Sequence, residues 1–98
     1  MQDKYSYIYI LSDDNNDKLY IGVTSNLIKR INEHKNQQVA GYTKKHKIHK
    51  LVYYQEFGDI YLAISREKQL KGRLRSRKIK LIEINNPEWN DLYEEITD

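Results

Sequence analysis

The sequence predicts a small α+β domain. Two short runs rich in aromatic and β-branched residues, 5–11 and 19–23, flank the turn-forming segment SDDNNDK, which is the pattern of a β-hairpin. A third run of the same character, KLVYYQEF, predicts a strand at residues 50–57. Apolar residues at helical spacing predict helices between and after these strands.

Side chains of the hairpin divide between two faces, because successive strand residues point to opposite sides. The aliphatic face comprises Ile8, Ile10, Leu19, Ile21 and Val23. The opposite face collects tyrosines of both strands and one glycine: Tyr7, Tyr9, Tyr20 and Gly22. Tyrosines on a sheet usually serve packing, so this face alone does not define a site.

A helix follows the hairpin, with Ser25 or Asn26 as its N-cap. Its buried stripe is predicted to contain three aliphatic residues, Leu27, Ile28 and Ile31. Arg30 and His34 are four residues apart and therefore neighbours, at the border of that stripe. We expect both to be half-buried and to lean toward the sheet.

A second helix is predicted from the capping residue Asp59 to Gly72. Its inward-facing apolar residues are Ile60, Ala63, Ile64 and Leu70. Glu67 lies on the same stripe, where an unpaired carboxylate is costly. This position therefore indicates either a metal ligand or an ordinary partner for a lysine.

The remaining segments are less strongly patterned. Residues 36–49 are polar and predict a loop or a short helical turn. A last helix is predicted at 76–84, ending before Pro87, because the residue preceding proline disfavours helical geometry. The acidic tail after Trp89 is expected to fray.

Length and composition limit the classes of protein that the chain can belong to. With 98 residues we expect one domain, 1–98, with a core of about 4–89 and an acidic tail at 90–98. The absence of cysteine excludes disulfides, thiolate zinc sites and thiol nucleophiles, so any metal must be bound by oxygen or imidazole. No run approaches the ~18 apolar residues of a membrane span, and the N-terminus lacks a signal-peptide pattern, which predicts a cytoplasmic protein.

Basic residues are unevenly distributed along the chain. The net charge is only +3, but KKHKIHK at 44–50 and KGRLRSRKIK at 71–80 are strongly basic, whereas acidic residues gather at 13–17 and 88–98. This separation indicates one positive face and a polyanionic partner. Ordinary solvated surface lysines remain the alternative explanation.

Several short motifs occur together in one order: YIY at 7–9, YIG at 20–22, SNL-x-x-R ending at Arg30, then His34, REKQLK at 66–71 and NPEW at 86–89. In this combination the chain resembles the GIY-YIG nuclease domain, and in particular its small stand-alone bacterial members. The resemblance implies a three-stranded antiparallel sheet flanked by helices. It also implies hydrolysis of phosphodiester bonds with one divalent metal ion, Mg²⁺ or Mn²⁺.

The resemblance also assigns roles to individual residues. The implied catalytic residues are Tyr9, Tyr20, Arg30, His34 and Glu67, with Glu67 as the metal ligand. The predicted substrate-binding residues are Tyr7, Gly22, Lys44, Lys45, Lys47, Lys71, Arg73, Arg75 and Asn86. We expect Tyr9 to help activate the attacking water and Tyr20 to position the water or the phosphate, although the reverse assignment stays open. Gly22 is expected to leave room for substrate.

The function predicted from these features is a DNA endonuclease that selects DNA structure rather than sequence, in DNA repair or recombination. The basic segments would contact the phosphate backbone, and a homodimer or a partner protein stays open as a source of specificity. No membrane partner and no small-molecule cofactor beyond the metal is expected. The alternatives are a nucleic-acid-binding domain with little or no catalytic activity and a protein-interaction domain.

Overall fold

The computed structural model describes residues 5–98, so the start of the predicted core at residue 4 lies outside it. Its strands and helices are, in chain order, β1 (Ser6–Ser12), β2 (Leu19–Thr24), α1 (Leu27–Lys35), α2 (Tyr42–Lys45), β3 (Lys50–Phe57), α3 (Ile60–Lys71), α4 (Arg75–Asn85) and α5 (Tyr93–Thr97). No helix within residues 5–98 has the length and apolar character needed to cross a membrane.

The three strands form one antiparallel sheet in the order β2-β1-β3, with β1 in the middle. Tyr9 lies opposite Gly22 of β2 on one side and Tyr54 of β3 on the other. The register with β3 shifts between Ile10 and Leu11, which marks a bulge at this point. The predicted α+β fold with a three-stranded antiparallel sheet flanked by helices is confirmed.

Helices cover both faces of the sheet, so the chain has two hydrophobic clusters. One cluster packs β1 and β2 against α3 and α4 through Ile8, Ile10, Ile21, Ala63 and Ile82. The other packs the opposite face against α1 and α5, with Tyr9, Leu11, Leu27, Ile31 and Leu51 among its buried members. The predicted division of the hairpin into an aliphatic face and a tyrosine face is confirmed.

Two helix starts match the predicted caps. The Asn26 side chain accepts a hydrogen bond from the Lys29 amide (3.2 Å), and Asp59 accepts one from the Tyr61 amide (2.8 Å). The polar segment 36–49 contains the single turn of α2, which starts after Gly41. Gly41 has φ 101, a left-handed conformation that glycine adopts at little cost.

The predicted buried stripes of α1 and α3 were wrong at two positions. Ile28 is 47% exposed, because the stripe of α1 runs along Leu27, Ile31 and His34, which repeat at i, i+4 and i+7. His34 is thus fully buried rather than half-buried. Ile60 is 39% exposed, because the buried face of α3 begins one turn later, at Ala63.

The acidic tail, which is expected to fray, has partners on α1 and β3 in the structure. The Leu92 amide donates to the Leu51 carbonyl (2.8 Å), and Asn32 donates to the Tyr93 hydroxyl (3.1 Å). Asp91 forms an ion pair with Lys35 of α1. These contacts are long-range in sequence and hold α5 against the sheet.

Candidate active site

Three of the predicted catalytic side chains form one aromatic cluster. The ring centroids of Tyr9 and Tyr20 are 6.3 Å apart, and His34 lies 5.7 Å from the first and 5.6 Å from the second. Antiparallel pairing of β1 and β2 brings the two tyrosines onto one face, and the buried stripe of α1 brings His34 over them. The cluster therefore follows directly from the sheet register and the helix period.

A buried chain of hydrogen bonds runs through His34. Its Nε2 atom lies 3.0 Å from the Tyr9 hydroxyl, and its Nδ1 atom lies 3.2 Å from the Thr43 hydroxyl of α2. A neutral imidazole donates from one nitrogen and accepts at the other, so it donates to one of these two hydroxyls and accepts a hydrogen bond from the other. Thr43 is only 5% exposed and was not among the predicted site residues. A lone threonine in a polar segment gives no sequence signal of this role.

The charge state of Tyr9 depends on three of the other predicted catalytic residues, Tyr20, Arg30 and Glu67. Burial raises its pKa to about 12, and the neighbouring Tyr20 acts in the same direction. The Arg30 guanidinium opposes this rise by hydrogen bonding and by its charge, whereas the Glu67 carboxylate adds to it. Arg30, Glu67 and Tyr20 therefore all lie close enough to Tyr9 to affect its ionisation.

His34 is neutral near pH 7. Burial, supported by the positive charge of Arg30, lowers its pKa from 6.5 to about 4, and Glu33 only partly opposes this effect. Its role in the free protein is therefore that of a hydrogen-bonding imidazole and not of a fixed positive charge.

This lowered pKa predicts a loss of stability in acid. The unfolded chain takes up a proton near pH 6.5, whereas the folded chain resists it down to about pH 4, so stability is full above 6.5 and falls as the pH drops. We expect the contribution of His34 to fall by about 3 kcal/mol between pH 7 and pH 4. Urea unfolding of wild type and His34→Gln at each pH measures this difference.

The control variant is His46→Gln, which removes a more exposed histidine. It should follow the pH dependence of the wild type, whereas His34→Gln should lose less stability in acid than either protein. Parallel curves for wild type and His34→Gln would contradict the prediction.

Gly22 is required by the packing of Tyr9. A Cβ atom at this position would lie 2.4 Å from both Cζ and the hydroxyl oxygen of Tyr9, because the ring crosses directly over the glycine. The prediction that Gly22 leaves open space for substrate was therefore wrong, since Tyr9 occupies that space.

The two charged residues of the candidate site lie at its edge. The Arg30 side chain is 40% exposed and lies 3.3 Å from the carboxylate of Glu33, one turn along α1. The Glu67 side chain is 15% exposed and lies 3.3 Å from Lys71 Nζ on α3. Both have charged partners in the free protein, and both keep a side accessible to solvent.

The residues around Glu67 fit a metal ion that takes one carboxylate from the protein and its other ligands from water and substrate. Within residues 5–98 there is no group of three or more His, Asp or Glu side chains able to enclose an ion. Mg²⁺ is commonly bound by one or two carboxylates, with water and substrate phosphate oxygens completing the octahedron. Glu67 fits this pattern as a single carboxylate on an accessible edge.

The predicted substrate-binding residues occupy different parts of the surface. Lys44, Lys45, Lys47 and Arg75 are exposed, Arg73 is partly exposed, Lys71 pairs with Glu67, and Tyr7 donates to Glu56 (3.2 Å). The two basic segments approach each other at the β1-β2 loop. Lys50 Nζ donates to the Asn16 side chain (2.6 Å), and Arg75 donates to the Asn16 carbonyl (3.3 Å).

Asn86 lies in the interior and has a structural role. Its Nδ2 atom donates to the carbonyls of Val52 (3.1 Å) and Asn90 (2.8 Å), and its Oδ1 accepts from the Asn90 amide (3.0 Å). The residue is 5% exposed. It joins the end of α4 to β3, and this position corrects its predicted place among substrate-binding residues.

Comparison with known proteins gives consistent matches. The family model of the GIY-YIG catalytic domain matches residues 5–80. A UPF0213 protein of Pediococcus pentosaceus is 42% identical over 79 residues, which is 81% of this chain and 82% of the relative. A UPF0213 protein of Clostridium perfringens is 42% identical over 77 residues, covering 79% and 82%. The solution NMR structure of a UPF0213 protein from Bacillus halodurans matches with a TM-score of 0.57 and 25% identity, over 89% of this chain and 92% of that one.

Proposed function

This chain belongs to the GIY-YIG family, and we propose from that membership that it is an endonuclease hydrolysing phosphodiester bonds in DNA with Mg²⁺ or Mn²⁺. The observation that carries the proposal is the single cluster of Tyr9, Tyr20 and His34, with the charges of Arg30 and Glu67 acting on Tyr9. A domain that only binds DNA has no need of this combination of groups.

In the proposed reaction Arg30 binds the scissile phosphate. Phosphodiester hydrolysis accumulates negative charge on the phosphoryl oxygens, and a planar guanidinium donates two parallel hydrogen bonds to such oxygens. Its exposed fraction leaves Arg30 accessible to a phosphate. Glu33, its partner in the free protein, is retained at the edge of the site and keeps the guanidinium oriented.

Glu67 is the proposed metal ligand. A bound divalent ion at this edge supplies Lewis-acid stabilisation of the phosphoryl oxygens. Within the chain itself, Lys71 neutralises Glu67 in the free state, and its 52% exposed side chain is free to move away into solvent.

The Tyr9–His34 pair is the proposed proton acceptor. The water oxygen bonds to phosphorus while its proton passes to the Tyr9 hydroxyl oxygen and the hydrogen of Tyr9 passes to His34 Nε2. The bond from phosphorus to the leaving oxygen breaks, and that oxygen takes a proton from solvent water. The proton gained by His34 returns to solvent, because the low pKa of its imidazole does not retain it. A free phenolate does not serve, because a pKa of about 12 leaves about one Tyr9 in 10⁵ ionised at pH 7. Tyr20 is more exposed than Tyr9, and we assign it the positioning of the water or phosphate.

The proposed substrate preference is for DNA structure, with a role in repair or recombination in the cytoplasm. The exposed lysines bind phosphates of any sequence, so these contacts carry no sequence information. Selectivity among nicked, branched or single-stranded DNA then depends on which DNA shape allows a phosphate to reach the cluster of Tyr9, Tyr20 and His34.

The test is cleavage of labelled duplex, single-stranded, nicked, flapped and four-way DNA of one sequence, with Mg²⁺, Mn²⁺ or EDTA. We expect cleavage of at least one non-duplex substrate with either metal, weaker cleavage of the duplex and none with EDTA. Co-purification of the activity with the protein peak over two columns excludes a contaminating nuclease.

Binding without cleavage of any substrate, weakening steeply with added salt, would overturn the nuclease proposal and favour the DNA-binding alternative. Absence of both binding and cleavage would favour the protein-interaction alternative.

A further inference from the structure

The short helix α2 presents an aromatic pair on a basic surface. Tyr42 is 47% exposed, and its ring lies 4.7 Å from that of His46 at an angle of 57°. Lys44, Lys45 and Lys47 follow it in the chain, and all three are exposed. A Cβ atom built on the preceding Gly41 would meet nothing within 4 Å, so the backbone just before Tyr42 also borders open space.

This surface is joined directly to the candidate active site. Thr43, the residue after Tyr42, turns inward and lies 3.2 Å from His34 Nδ1, whose other nitrogen contacts Tyr9. Thr43 therefore faces the interior and contacts His34, whereas its neighbour Tyr42 faces solvent.

We propose that Tyr42 is a stacking platform for an unpaired base of single-stranded DNA, with the lysines around α2 bound to the flanking phosphates. The proposal rests on the proposed function and deepens it, because it names a strand with an accessible base as the substrate beside the active site. Stacking on an exposed aromatic ring is tolerant of base identity, as expected for an enzyme that selects DNA structure.

The chemistry of α2 favours a single strand over a duplex. Lysines alone bind the phosphates of both, whereas an exposed ring gains from a base only when the base has left its stack. Tyr42 supplies the base contact and the three lysines supply the phosphate contacts within one short segment. A duplex lying on the same surface would contact the lysines and leave the ring unused.

The test measures binding without cleavage, by anisotropy of a labelled 12-nucleotide strand and of its duplex in EDTA. Tyr42→Leu should weaken binding of the single strand by about five- to a hundredfold, the range for loss of one base stack, and leave duplex binding within twofold. Tyr42→Phe keeps the ring and should bind like the wild type. Tyr61→Leu, which removes a 76% exposed tyrosine on α3, is the matched control and should change neither affinity.

A strand with abasic residues in place of bases separates stacking from charge. The wild type should bind the abasic strand as weakly as Tyr42→Leu binds the intact strand, because only phosphate contacts remain in both cases. Equal loss of single-strand and duplex binding in Tyr42→Leu, or unchanged binding of the intact strand, would overturn the inference. Thermal melting confirms that each variant is folded.

Failure here is distinguishable from failure of the nuclease proposal. Ring-dependent binding of the single strand by a protein that cuts no DNA supports the platform and overturns the nuclease. If the protein cleaves DNA with metal but Tyr42→Leu binds the single strand as tightly as the wild type does, the nuclease proposal is supported and the stacking proposal is overturned.

Discussion

Replacing Glu67 by glutamine is expected to lower the rate of DNA cleavage by about a thousandfold, equivalent to about 4 kcal/mol in the activation barrier. Glutamine has the same shape, so packing on α3 is kept while the negative charge that holds the metal is lost. DNA binding in EDTA should stay the same or become tighter, because one negative charge is removed from the binding surface. Single-turnover cleavage and anisotropy give the two quantities separately.

The pairing of Glu67 with Lys71 provides a sharp control. If Glu67 acts only as the partner of Lys71, the variant Lys71→Ala breaks the same 3.3 Å ion pair and should be equally damaging. If Glu67 binds the metal, Lys71→Ala should retain cleavage within about tenfold and show only weaker, less salt-dependent binding. Lys71 is 52% exposed, and an ion pair with one partner in solvent contributes little stability, so neither variant should melt far from the wild type.

Comparable losses in both variants, or an active Glu67→Gln, would contradict the metal-site assignment. A second control, Glu88→Gln, removes an exposed carboxylate outside the site and should behave as the wild type does.

Glu67 also illustrates which parts of the site the sequence could predict. A carboxylate on an apolar stripe is unusual enough to notice, and the strand period alone places Tyr9 and Tyr20 on one face. The structure agrees on both, since Glu67 is mostly buried and the two rings are close neighbours. Periodicity predicts such features because each depends on one element or on one adjacent strand pair.

Features that depend on distant parts of the chain could not be predicted in this way. Thr43 reaches His34 because the segment after α1 folds back over it. The residues just before α5 contact α1 and β3 through the Lys35–Asp91 ion pair and the hydrogen bond from Leu92 to Leu51. Local propensity carries no information on these contacts, and tertiary packing decides them.

At Gly22 the sequence motif predicts that the residue matters, and a tertiary contact supplies the reason. It was predicted to matter on the basis of the YIG motif, but its physical reason is the ring of Tyr9 lying across it. Tyr9 is 1% exposed and bonded to His34, so its ring has no free volume to move into.

Replacing Gly22 by alanine is therefore expected to destabilise the protein and to remove activity together. A methyl group 2.4 Å from two atoms of a buried ring forces a shift whose cost is about 2 to 3 kcal/mol, which lowers the melting temperature by about 10 to 20 °C. The same shift moves the Tyr9 hydroxyl off His34, and cleavage should fall by about a hundredfold or more below the new melting point. Gly58→Ala is the matched control, since a Cβ there would meet nothing within 4 Å.

A double variant identifies the clash as the cause. Tyr9→Leu shortens the side chain that meets the new methyl group, so Tyr9→Leu with Gly22→Ala should be no less stable than Tyr9→Leu alone, although both are inactive. Such non-additivity is expected of residues in contact, whereas a general preference of β2 for glycine would give additive losses. Wild-type melting and cleavage in Gly22→Ala would mean that Tyr9 has another position available. The close packing of ring on glycine would then not be what holds the Tyr9 hydroxyl against His34.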